Sequence, residues 1–108
     1  MAQQKRKARS DRNHIIYVLT NQINGEQYVG ITVGANKQAL KVRVQKHVRR
    51  ARTENRNWAL CCAIREHGPE NFTMGILQVV RGKLNAHRQE QELVRTYNPA
   101  LNTAVYNT

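Results

Sequence analysis

The sequence predicts a small α/β domain of the α+β kind, a three-stranded antiparallel β-sheet flanked by helices. Three observations predict it. Two β-branched and apolar runs, "IIYVL" from Ile15 to Leu19 and "YVGIT" from Tyr28 to Thr32, flank the turn-forming stretch "TNQINGEQ". A third such run, "FTMGILQVV" from Phe72 to Val80, comes much later. Around the third run lie segments whose apolar residues recur at three- and four-residue steps, the period of a helix buried on one side.

Residues 1–12, "MAQQKRKARSDR", are polar and basic without periodicity and read as a flexible tail, leaving 13–108 as a single domain. The first two strands form a hairpin, with Gly25 free to take a positive φ in its loop. After the loop "VGANKQ", a helix is expected from Gln38 to Arg52 with Leu40, Val44, Val48 and Ala51 as its buried stripe. Arg43 and His47, four residues apart, fall between members of that stripe and so face the body of the protein. Lys41, Lys46, Arg49, Arg50 and Arg52 lie on or near the outward arc, where they suit a polyanion. A second helix, Trp58 to His67, stops at Gly68-Pro69, and a third, Asn85 to Tyr97, ends before Asn98-Pro99. No internal repeat or low-complexity linker interrupts the pattern.

A chain of 108 residues supports one modest core. Its 18 lysines and arginines against 7 acidic residues give a formal net charge of +11, which favours a polyanionic partner, nucleic acid first. An anionic membrane surface would call for a basic amphipathic helix with large exposed apolar residues or a lipidation signal, and neither is evident. The longest apolar run, "WALCCAI", is too short to span a bilayer, and the basic N-terminus is not followed by an apolar segment, so a soluble cytoplasmic protein is expected. Cys61 and Cys62 are adjacent, with no other cysteine, which excludes a disulfide framework and predicts reduced, buried thiols. A zinc site recruiting His67 or His87 lacks the paired ligand spacing such sites need. Those histidines and Trp58 read as structural.

Glu90 shares a helical face with Leu93, Val94 and Tyr97, so a carboxylate projects from an apolar stripe. Either it pairs with an arginine at the edge of the core, or it lines a pocket and binds a cation or a water. Glu92 falls off the stripe and reads as solvated. Arginine, histidine, a lone carboxylate and a phenol suit phosphodiester hydrolysis. The guanidinium grips phosphate oxygens, the carboxylate holds a divalent ion, and the phenol or imidazole moves the proton. The remaining carboxylates, Asp11, Glu26, Glu54, Glu66 and Glu70, fall in the tail, turn, helix ends or connections. A two-metal site needs an acidic cluster, so one metal is the better expectation.

On these residues the chain resembles the GIY-YIG nuclease family. "IIY" (Ile15 to Tyr17) and "YVG" (Tyr28 to Gly30) stand where that family carries Gly-Ile-Tyr and Tyr-Ile-Gly on neighbouring strands, with Ile15 replacing the first glycine. Arg43 and His47 in "KVRVQKH", the corner "REHGPENF", Glu90 with Val94, and "NPALN" with Asn102 continue the likeness from His14 to Asn102. The resemblance implies a metal-dependent DNA endonuclease. Tyr17 would be the general base or would position the attacking water, and Tyr28 would assist it. Arg43 would grip the scissile phosphate, and His47 would relay a proton or contact phosphate. Glu90 would be the sole protein ligand of one magnesium or manganese ion, and Asn102 would orient the site. Gly30 would let the second strand and first helix approach closely.

A small stand-alone member of this kind fits a bacteriophage or other mobile element. It would nick with little sequence specificity of its own, a homodimer or two successive events being needed for a double-strand break. The rival readings are a catalytically inactive nucleic-acid-binding module of the same fold, and a protein that blocks another nucleic-acid enzyme. The enzyme reading requires Tyr17, Arg43 and Glu90 to converge.

Overall fold

The computed structural model describes residues 12–53 and 59–102. The basic tail up to residue 11 and the core position expected of Trp58 lie outside the described residues. Along the chain run β1 (Asn13–Asn21), β2 (Gln27–Val33), α1 (Lys37–Thr53), α2 (Ala59–His67), β3 (Phe72–Arg81) and α3 (Lys83–Tyr97). Short 3-10 turns occur at Pro69–Asn71 and Ala100–Asn102. The strands form one antiparallel sheet in the order β2-β1-β3, with β1 in the centre.

The elements are those expected, and their ends differ for identifiable reasons. β1 continues through Thr20 and Asn21 because Asn21 and Glu26 close the hairpin: the Asn21 N–H donates to Glu26 O at 2.8 Å and the Gly25 N–H to Asn21 O at 2.7 Å. Gly25, at φ 79°, takes the left-handed conformation there that other residues resist. α1 starts one residue early because Asn36 caps it, its Oδ1 accepting from the Ala39 N–H at 3.0 Å. α3 starts at Lys83 rather than Asn85, with the Ala86 N–H already bonded to Gly82 O at 2.9 Å. It ends in Asn98, left-handed at φ 46°, whose N–H caps Val94 O. Pro99 follows and prevents continuation.

Alternation along β1 divides the sheet into two faces. Ile15, Tyr17 and Leu19 point to the face covered by α1 and α2, where they join Leu40, Ala51, Leu60, Cys61, Ala63 and Ile64 in one core cluster. The Arg65 Nη1–H donates to Ala51 O at 3.0 Å and ties α2 to α1. Cys62, expected in the core, is half-buried instead: neighbours on a helix point about 100° apart, so one of the pair must turn away. The other face carries the fully buried Ile16, with Val18 and Val29, beneath α3. The β1–β3 register shifts between Ile16 and Tyr17, so Leu77 bulges out of β3 and Tyr17 stands between Gly30 on one side and Ile76 on the other.

Candidate active site

Tyr17 and Tyr28 come from neighbouring strands and the same sheet face, and α1 lies over them. The Tyr17–Tyr28 and Tyr17–His47 ring centroids are each 6.2 Å apart, and Tyr28 meets His47 edge-on at 5.4 Å. A buried hydrogen bond of 2.8 Å joins the Tyr17 hydroxyl to His47 Nε2. In the tautomer that carries its proton on Nδ1, the imidazole accepts from the phenol.

Gly30 makes this cluster possible, for a reason other than the one expected from sequence. A Cβ there would lie 2.5 Å from Tyr17 Oη, 2.6 Å from its Cζ and 2.7 Å from Tyr28 Cε2. The missing side chain makes room for the two phenol rings, not for the backbone of α1. Asn102 acts from further away. Its Oδ1 accepts from the Val29 N–H and its Nδ2–H donates to Val29 O, both at 2.7 Å. It thus holds β2 by the backbone between Tyr28 and Gly30.

Burial dominates the electrostatics. Desolvation pushes the Tyr17 phenol well above the ordinary range, and the neighbouring Tyr28 adds to this; Arg43 pulls it partly back, while Glu90 raises it. Tyr28 is raised by desolvation, opposed by Arg43 and assisted by Glu90. Both phenols are therefore protonated at neutral pH. His47 moves the other way, down to about 4, through desolvation first and then the charges of Arg43 and Arg50. It is neutral at pH 7. Glu90, on the middle of α3, is half-buried and raised by desolvation, with His87 opposing the shift. Its charge raises both phenols, but the cleft that Arg43 lines includes neither Tyr17 nor Glu90.

Arg43 is half-buried, and its Nε is fully buried with no hydrogen-bond partner among the described residues. An unsatisfied buried guanidinium N–H is costly, while a guanidinium that borders an open cleft can bind phosphate oxygens there. The side chain lines a cleft of about 390 Å³ with Thr32, Val33, Ala39, Val42 and Lys46. Of the other basic residues expected on the outward arc of α1, Lys41, Arg49 and Arg52 are exposed, whereas Arg50 is half-buried.

One placement departs from expectation, and one of the two alternatives for Glu90 finds no support. Tyr17, read as the group that meets the attacking water, has no solvent exposure, and its hydroxyl is engaged by His47. Tyr28 is the phenol that reaches the surface. Among the described residues Glu90 forms no ion pair with an arginine: its Oε1 lies 3.8 Å from Nδ1 of His87, three residues back. Sequence reasoning left His87 as structural, although the i, i+3 spacing was a usable signal.

Among the described residues no group of three or more His, Cys, Asp and Glu side chains could hold a metal ion. One half-buried carboxylate fits a hard ion of the magnesium type, which keeps several waters and takes the rest of its shell from phosphate oxygens. It does not fit a closed zinc site.

The fold is that of a nuclease catalytic domain. More particularly, the chain belongs to the GIY-YIG family, whose catalytic-domain model matches residues 13–104. It is similar in fold to the catalytic domain of the homing endonuclease I-TevI, with a TM-score of 0.65 and 20% identity over 88% of this chain and 99% of that one. Among curated proteins, none matches the chain significantly. No helix among the described residues is long and apolar enough to cross a membrane.

Proposed function

We propose that the chain is a divalent-metal-dependent DNA endonuclease that hydrolyses phosphodiester bonds one strand at a time, with little sequence specificity of its own. The observation that carries this reading is the buried Tyr17–His47 hydrogen bond beside Arg43, which lines an open basic cleft with Lys46. Arg43 binds the scissile phosphate and offsets the charge that grows on it in the transition state.

The attacking water meets Tyr28, the half-buried member of the phenol pair, and its oxygen bonds to phosphorus as the bond to the departing sugar oxygen breaks. That oxygen takes up a proton from solvent. The water's proton passes from Tyr28 to Tyr17 and from Tyr17 to Nε2 of His47. Because His47 is neutral above about pH 4, the acceptor is ready at pH 7 and returns its proton afterwards. Glu90 would hold the divalent ion, which would supply charge compensation at the phosphate and lower the pKa of a bound water. Asn102 and Gly30 are positioning residues.

One such centre cuts one strand, so a monomer nicks and a double-strand break requires a homodimer or two encounters. The test is relaxation of supercoiled plasmid with magnesium, comparing wild type with Glu90→Ala while DNA binding is followed in parallel. Relaxation by wild type, abolished by chelation and by the substitution while binding persists, supports the reading. Binding by both proteins without nicking would make the chain a binding module.

A further inference from the structure

At the end of the sheet where β1 begins and β2 stops, the chain builds a second basic cleft that the catalytic reading does not use. It measures about 230 Å³ and is lined by Arg12, His14, Val33 and Lys83. Three chain segments meet there: the start of β1, the end of β2, which pairs with it through His14 and Val33, and the first residue of α3. The His14 Nδ1–H donates to Arg12 O at 2.9 Å, and the Gly82 N–H donates to the same carbonyl at 3.0 Å. The backbone of Arg12 is thus fixed to the domain from two sides, and Arg12 and Lys83, both exposed, are held at one rim.

Val33 lines this cleft and also the cleft of Arg43 and Lys46. The two clefts therefore adjoin across one half-exposed apolar residue. Four cationic side chains, Arg43, Lys46, Arg12 and Lys83, border this continuous surface, and neither lining contains a carboxylate. Such a path suits a chain of regularly spaced negative charges and gives an isolated anion no reason to prefer it.

Resting on the nuclease reading, we infer that the DNA backbone leaves the scissile-phosphate cleft over Val33 and continues around the end of the sheet, with Arg12 and Lys83 taking flanking phosphates. The outward arc of α1, which composition alone recommends, is not the main path.

The experiment measures the affinity of the full chain for a DNA duplex by fluorescence anisotropy, without metal, over a range of salt concentrations. Four proteins are compared: wild type, Arg12→Gln/Lys83→Gln, Lys41→Gln/Arg52→Gln, and the charge-keeping Arg12→Lys/Lys83→Arg. Each lost phosphate contact lowers the slope of log affinity against log salt by about 0.9, so the Arg12/Lys83 pair should lower it by about 1.8 and weaken binding about 60-fold at 0.1 M salt. The α1 pair should change the slope by less than half as much. Arg12→Lys/Lys83→Arg, which keeps both charges, should restore the wild-type slope; failure to do so, or an unchanged slope in the Arg12/Lys83 double variant, would overturn the path. So would equal losses from both pairs or a loss confined to the α1 pair. A wild-type protein that binds DNA while the path fails leaves the nuclease reading standing; one that does not bind DNA at all removes both.

Discussion

Acidification should destabilise this domain largely through one imidazole. The pKa of His47 falls from 6.5 in an unstructured chain to about 4 in the fold. Between those values the unfolded chain binds a proton that the native state refuses. The stabilisation from this depressed pKa is complete above 6.5 and disappears as pH falls towards 4. The full difference corresponds to about 3 kcal/mol, of which about 2 kcal/mol is lost between pH 7 and 4.5. Against a total stability of about 5–15 kcal/mol this is a large fraction.

Glu90 acts in the opposite direction. Its raised pKa favours the native state below the ordinary carboxylate value and loses that contribution as pH rises through the folded value, so it flattens the wild-type profile at the acid end. The comparison must therefore be made between wild type and His47→Gln, by urea unfolding followed by circular dichroism at a series of pH values. The difference between the two slopes isolates the histidine. A ring titration of His47 by NMR gives its midpoint directly. A midpoint near 6.5, or parallel stability profiles in the two proteins, would refute the argument and with it the claim that this imidazole is neutral in the working site.

Gly30→Ala should drive the Tyr17 ring off His47. An overpacking cost of about 1–3 kcal/mol is expected, with nicking reduced more than stability; unchanged nicking would deny the close approach its role. Tyr17→Phe leaves His47 Nε2 buried without a partner, costing about 1–3 kcal/mol. It should slow cleavage on the order of 100-fold with DNA affinity retained; wild-type rates would break the proton path. Asn102→Ala removes both bonds to Val29 and should cost about 1–3 kcal/mol. Faster hydrogen exchange at the Val29 amide is the local readout, and an unaltered rate would show that the clamp is not needed.

Local pattern made several features legible from sequence. The three- and four-residue spacing of Leu40, Val44, Val48 and Ala51 was enough to turn Arg43 and His47 inward, and the alternation in "IIYVL" and "YVGIT" was enough to put both tyrosines on strands. The Gly68-Pro69 stop of α2 was legible for the same reason: the cap is a property of adjacent residues. Which tyrosine is sealed from solvent was not legible, because that depends on how α1 settles over a sheet with a bulge opposite Tyr17. The clamp from Asn102 to Val29 spans 73 positions and leaves no periodic trace. The cleft of Arg12, His14 and Lys83 was hidden for the same reason, since it joins the two ends of different elements across the sheet. Gly30 was singled out correctly for its lack of a side chain, but the neighbour that needs the space could be known only from the strand register.

The Asn102 clamp also bears on when this protein becomes active. A ribosome makes Tyr17 and Tyr28 early and Glu90 late, and the residue that fastens β2 in place comes last of all. A partly synthesised chain can form its hairpin and still hold the phenols on a strand that nothing has yet locked. If cleavage needs that clamp, the order of synthesis withholds it until residue 102 has been made.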